Sequence, residues 1–122
     1  MSIGLHPTTR LGAIESRRIV VDCVEYVDAI RRIPSIAELR GVAHVSERRL
    51  RGAFTETYGT PPRSYFTEWA LHEAKEQLSL GWQGALTVSD VAYSLGFGNL
   101  GRFAVKYRHL HDELPSATLK GM

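Results

Sequence analysis

Residues 87–107 read TVSDVAYSLGFGNLGRFAVKY, and this stretch contains two short helical segments separated by a turn. Thr87 and Asp90 have the spacing of a capping box, in which two side chains satisfy free N–H groups at the start of a helix. Gly96 is the type of residue that ends a helix. Two aromatic residues four positions apart follow the turn, which indicates one buried face of a second helix. The stretch predicts a helix, a tight turn and a helix.

The same pattern occurs earlier in the chain. Before the turn the two copies are offset by 52 residues, with Ile36, Leu39, Ala43 and Val45 matching Val88, Val91, Leu95 and Phe97. After the turn the offset is 53, with Leu50, Phe54, Tyr58, Gly59 and Pro62 matching Phe103, Tyr107, His111, Asp112 and Pro115. A slip of one residue is tolerated because turns accept insertions. Ser35 and Glu38 repeat the capping box, so the helix-turn-helix pattern is present twice.

The repeat predicts an all-α fold with two helix-turn-helix lobes joined by a long linker helix. No segment alternates apolar and polar residues over a useful length, so strands are not expected. We expect a tail or linker at 1–13, the first lobe at 14–62, the linker helix at 63–80 and the second lobe at 81–122.

Composition excludes several classes of protein. The 122 residues are 43% hydrophobic and 23% charged, as is usual for globular domains. The single cysteine, Cys23, cannot form an internal disulfide, and we expect it to be a small core residue. No apolar run has membrane-spanning length and no signal peptide is evident, so we expect a cytoplasmic protein without a membrane partner.

In each copy, the outward residues of the second helix can be inferred once its buried residues are assigned. If Leu50 and Phe54 point inward, the outward residues of the first are Arg48, Arg51, Gly52 and Thr55. In the second they are Arg102, Val105, Lys106 and His109. Residues 98–111 contain three Lys or Arg residues and no acid, although the net charge of the chain is only +2. A protruding basic helix fits the major groove of DNA, where each base pair presents a distinct edge.

These residues resemble the AraC/XylS family of transcription regulators over about residues 15–119. The resemblance is carried by SERRLRGAF at 46–54 and YGTPPRSY at 58–65, and by VAYSLGFGNLGRF at 91–103 with Tyr107, Arg108 and Pro115. It implies a homeodomain-like, AraC-type fold, that is, a bilobed helical domain with one recognition helix in each of two successive major-groove segments. It also implies action at promoters as an activator or repressor.

The resemblance also implies which residues contact DNA. By position, Arg48, Arg51 and Gly52 read bases in the first lobe, and Gly101, Arg102 and Val105 occupy the matching places in the second. The predicted DNA-binding set is Ser46, Arg48, Arg49, Arg51, Gly52, Thr55, Thr87, Asn99, Arg102, Val105, Lys106 and Arg108.

The chemistry of these side chains suggests different roles. Arg48 and Arg51 suit guanine edges, and Arg49 suits a phosphate. Basic residues of the second lobe are expected to contact mainly phosphates, namely Arg102, Lys106 and Arg108. Ser46 and Thr87, as N-caps, are expected to bring backbone N–H groups to phosphates.

The expected partner is double-stranded DNA, with RNA polymerase as a further candidate. Members of the family usually carry an N-terminal effector-binding domain, and we expect that domain to be absent from this chain. The rival interpretation is a protein-interaction module derived from such a domain, with weak or no DNA binding. It is motivated by the absence of polar side chains at Gly52, Gly101 and Val105.

An enzyme is not expected, because no Ser-His-Asp arrangement, phosphate-binding glycine loop or paired carboxylates stand out. No cofactor is expected either. A metal site is not expected, because His109 and His111 at i, i+2 point to different helix faces. His111 is instead expected to be a half-buried packing residue.

Overall fold

The computed structural model describes residues 10–81 and 86–121, and within those ranges the chain forms seven helices and no strand. The helices are α1 (Arg10–Ile30), α2 (Ile36–Ala43), α3 (Glu47–Tyr58), α4 (Pro62–Gly81), α5 (Val88–Ser94), α6 (Leu100–His111) and α7 (Pro115–Lys120). The all-α fold predicted from the repeat is confirmed. None of the helices in those ranges is both long and apolar enough to cross a bilayer.

Two helix boundaries differ from the sequence-based expectation. Helix α1 begins at Arg10, whereas the first lobe was expected to begin at residue 14, so the end of the predicted tail at 1–13 is helical. Residues 1–9 lie outside the described residues. Helix α7 was not expected as a separate element. It begins with Pro115 at the first helical position, where proline needs no N–H partner.

The caps of the two copies correspond position by position. The Ser35 and Glu38 side chains form a complete capping box at α2, and Thr87 and Asp90 form another at α5. At the second helix of each copy, the Ser46 hydroxyl accepts from the Arg49 N–H, and the Asn99 side chain accepts from the Arg102 N–H. Local caps therefore set where each helix of the repeat begins.

The turn between the two helices requires a positive φ in both copies. His44 has φ 58° and ψ 46°, and Gly96, at the matching place, has φ 99°. The residue after the turn bonds back to the helix in each copy. The Phe97 N–H lies 3.0 Å from the Ala92 carbonyl oxygen, and the equivalent bond of the first copy is 3.3 Å. The same turn geometry is thus reached with a histidine in one copy and a glycine in the other.

The chain divides into two compact units, the first ending at Phe66 and the second beginning at Thr67. The division between the two units falls within α4. The core of the first unit contains Ile19, Val20, Cys23, Val27, Leu39, Ala43, Leu50, Ala53, Phe54 and Phe66. Burial raises the pKa of the Cys23 thiol to about 11, which agrees with its expected packing role.

A polar cluster joins α1 to α2 within the first unit. The Arg32 guanidinium pairs with both carboxylate oxygens of Glu38, with N–O distances of 3.0 and 2.7 Å. The Tyr26 hydroxyl donates to the same carboxylate at 2.6 Å, and the Ser35 N–H donates at 2.8 Å. These donors hold the pKa of Glu38 well below its usual range, with the Arg32 hydrogen bonds contributing most.

The second unit buries aromatic side chains from α6. Phe103 and Tyr107 are fully buried, and the Tyr107 hydroxyl donates to the Thr118 hydroxyl of α7 at 2.7 Å. The Thr118 hydroxyl in turn donates to the Glu113 carboxylate. His111 is half-buried, with its Nε2 2.9 Å from the Leu71 carbonyl oxygen. The packing role expected of His111 is confirmed.

Candidate nucleic-acid interface

Helix α3 has a buried face and a basic exposed face, as the sequence predicts. Leu50, Ala53 and Phe54 are fully buried. On the opposite side Arg48, Arg51 and Thr55 are exposed, and Gly52 is partly exposed. The Phe54 ring fixes the helix by packing edge-on to Phe66, with ring centroids 5.5 Å apart. The basic face is therefore directed away from the core of the first unit.

The exposed arginines of α3 are accessible to a ligand. Arg48 takes no part in the hydrogen bonds and ion pairs found among the described residues. Arg51 forms an exposed pair with Glu47 at 2.8 Å, one turn away. Such a pair contributes about 0–1 kcal/mol, so a stronger acceptor can replace Glu47 at little cost. The Thr55 hydroxyl donates to the Arg51 carbonyl oxygen at 2.9 Å and so remains at the helix surface.

Helix α6 of the second unit repeats this arrangement. Phe103 and Tyr107 point into the core, while the outward residues are Arg102, Val105, Lys106, Arg108 and His109. Val105 is 71% exposed although it is apolar. Asn99 caps the start of the helix, and Arg108, His109 and His111 lie in its last turn, where positive charge is favourable.

The comparisons with known proteins agree with this geometry. The helix-turn-helix domain family matches residues 40–121. The XylDLEGF operon transcriptional activator 2 of Pseudomonas putida is 33% identical over 112 residues, which cover 91% of this chain and 71% of that protein.

The chain belongs to the AraC/XylS family.

A solved structure supports the same membership. The crystal structure of a probable AraC family transcriptional regulator from Rhodopseudomonas palustris has a TM-score of 0.75 and 33% identity, covering 85% of this chain and 96% of that one. The XylDLEGF operon transcriptional activator 3 of Pseudomonas putida is 34% identical over 83% of this chain, which spans only 30% of that activator. As an AraC/XylS domain, the chain is a DNA-binding transcriptional regulator.

One predicted contact residue of this AraC/XylS domain is held by α1. Arg49 is half-buried, and its Nη2 lies 3.1 Å from the Ser16 hydroxyl and 3.7 Å from the Glu15 carboxylate. The Ser16 hydroxyl donates to the Glu56 carboxylate at 2.8 Å, and Glu56 lies about two turns after Arg49 on α3. Ser16 therefore joins α1 to two residues of α3.

The sequence predicts no contact between Arg49 and Ser16, although it contains one signal for a buried polar network on α1. Ser16 lies four positions before Val20, on the buried stripe of α1, and it is 1% exposed. A serine on an apolar stripe requires a polar partner, because a buried hydroxyl without one is costly. The partner itself could not be named, since Arg49 is 33 positions away.

The two remaining predicted N-caps are exposed at helix starts. The Ser46 and Thr87 side chains accept from the third N–H of α3 and α5, respectively. Among the described residues, no group of three or more His, Cys, Asp or Glu side chains is arranged to hold a metal ion. His109 is exposed, whereas His111 is directed to the Leu71 carbonyl.

Proposed function

We propose that this regulator recognises specific sequences by placing α3 and α6 each in a major groove of double-stranded DNA. The supporting observation is that two helices with matching caps and matching buried residues both expose a face rich in Lys and Arg. Positive residues clustered on protruding helices provide the phosphate attraction on which DNA affinity depends.

Helix α3 is proposed to read bases. Arg48 and Arg51 are exposed and can each donate two hydrogen bonds to the O6 and N7 atoms of a guanine. Gly52 lies one turn after Arg48 on this helix and, without a side chain, lets the backbone approach the base edges. Thr55 is one turn further along the same face.

Helix α6 is proposed to hold the DNA backbone through the Arg102, Lys106 and Arg108 side chains. Ser46, Thr87 and Asn99 lie at helix starts, where free N–H groups can donate to phosphate oxygens. Arg49 is proposed as an additional phosphate contact, which requires its guanidinium to leave the α1 network.

The cellular location, the second partner and the lobe boundaries are proposed as well. We propose a cytoplasmic, non-enzymatic protein that acts at promoters and contacts RNA polymerase as a second partner. We also propose that residues 14–62 and 81–122 form the two lobes and that residues 63–80 form the linker helix between them.

Selection of duplexes from a random pool, followed by affinity measurements on every single-base variant, tests the assignment of roles. Arg48→Ala or Arg51→Ala is expected to cost about 1–3 kcal/mol and to relax preference at one or two base pairs. Lys106→Ala is expected to weaken binding to all duplexes alike, because a phosphate contact carries no sequence information.

The opposite pattern, with preference lost at Lys106 and a uniform loss at both arginines, would show that the roles are reversed. A gel shift on random duplex DNA at low salt separates this function from an interaction module. The regulator should shift the duplex, whereas an interaction module should leave it almost entirely free.

A further inference from the structure

We infer that Val105 of α6 recognises the 5-methyl group of thymine. The inference rests on the proposed entry of α6 into the major groove, and it adds a base-specific contact to a helix otherwise assigned to phosphates.

The position of Val105 on α6 carries the argument. Successive residues of an α-helix are rotated by about 100°. Phe103 and Tyr107 are both fully buried, so the middle of the buried face lies between them. Residue 105 lies about 180° from that middle on the helical wheel. Its side chain is 71% exposed, so Val105 is at the centre of the outward face.

The residues around Val105 allow close approach to the groove floor. Gly101, one turn earlier, is exposed and has no side chain. A Cβ there would make a tight contact of 3.3 Å with the Asn99 side-chain oxygen that caps the helix. Arg108 flanks Val105 on one side and Arg102 on the other. Charges at the two edges suit phosphates of the two strands, which leaves the apolar centre facing the bases.

The chemistry of the base edges identifies the ligand of Val105. In the major groove, thymine presents a methyl group beside its O4 acceptor. Guanine and adenine present hydrogen-bonding groups there, and cytosine presents a bare C5–H beside its N4 donor. The two methyl groups of valine have no donor or acceptor. Placing them against a polar edge would desolvate that edge without replacing its hydrogen bond. Thymine is therefore the base that a central valine favours.

The first unit differs at this place. Residue 52, which matches Val105 at the offset of 53, is a glycine, and Arg48 matches Gly101. The side chain that can reach a base is thus an arginine in α3 and a valine in α6. The two helices are expected to prefer guanine and thymine, respectively.

Replacement of thymine by deoxyuridine tests the inference, because it removes only the methyl group. With a duplex selected by the full chain, each thymine is replaced in turn and the dissociation constant is measured. One position is expected to lose affinity by about fourfold, the factor that corresponds to burial of one methyl group. At the same position, a C·G pair carrying 5-methylcytosine should bind more tightly than one carrying cytosine.

Variants of the chain complete the test. Val105→Ala should bind the thymine and deoxyuridine duplexes equally, whereas Val21→Ala, at an exposed valine of α1, should retain the fourfold preference. A wild-type chain indifferent to every methyl group, or a preference that persists in Val105→Ala, would overturn the inference while sequence-specific binding remains. If no sequence is selected from the pool, the proposed function itself fails, and the inference with it.

Discussion

His44 occupies a backbone conformation that side chains with a Cβ adopt at a cost. Its φ of 58° lies in the left-handed region, where Gly96 supplies the same turn in the second unit. Replacing His44 by glycine should relieve the strain, with part of the gain offset by the greater freedom of glycine in the unfolded chain. We expect His44→Gly to raise the free energy of unfolding by about 0.5–1 kcal/mol in urea denaturation.

The matched control is the reverse change in the other unit. Gly96→Ala should destabilise the protein by more than about 1 kcal/mol, because alanine is strained at φ 99°. If His44→Gly instead lowers stability, the imidazole makes a contribution to the turn that outweighs the backbone strain.

Residues whose partners are close in sequence were the most predictable. The Ser35 and Glu38 capping box was predicted because both partners lie within one helical turn. The Arg49 contact with Ser16 was not predicted, because it depends on how α1 crosses α3. Arg49 was instead assigned to a phosphate from its place on the helix alone.

At the level of elements, the anchoring of α3 depends on Phe54. The ring is fully buried and packs against Tyr65 and Phe66, with centroids 5.7 and 5.5 Å away. Phe54→Ala should lower the free energy of unfolding by about 3–5 kcal/mol, because it leaves a cavity among these rings. Thr57→Ala, at an exposed position of the same helix, should change it by less than about 0.5 kcal/mol. A loss below about 1 kcal/mol in Phe54→Ala would contradict the assignment of the buried face.

Helices of several turns could be predicted from apolar periodicity. The short helix α7 and the exact start of α1 could not. Helix α7 spans only Pro115–Lys120, which is too short for a periodic pattern to identify. Its start was marked only by the match of Pro115 to Pro62, the first residue of α4. The predicted start of the first lobe is later than the start of helix α1, because residues 10–13 include a glycine and have no repeated apolar spacing that would mark them as helical.

For the whole molecule, the two-fold repeat made the fold of each unit predictable, since each copy carries its own caps, turn and buried residues. Assigning DNA contacts required more, because exposure alone does not separate a base-reading side chain from a solvated one. The net charge of +2 gives little guidance. What distinguishes the two proposed recognition helices, α3 and α6, is the position of their charge, and the effect of that position on DNA affinity can be measured.

The salt dependence of DNA affinity distinguishes the effect of charges located on α6 from the effect of the net charge of the chain. Each phosphate contact contributes about 0.9 to the slope of log affinity against log salt concentration. Replacing Arg102, Lys106 and Arg108 by glutamine should therefore reduce the magnitude of the slope by about 2.7. The control variant replaces Arg17, Lys75 and Lys120 by glutamine. These residues are exposed on α1, α4 and α7, and their replacement changes the net charge by the same amount. If contacts on α6 determine the slope, the control should keep the wild-type value. Equal reductions in the two triple variants would mean that the overall field attracts DNA, and α6 would lose its assignment as the helix that holds the backbone.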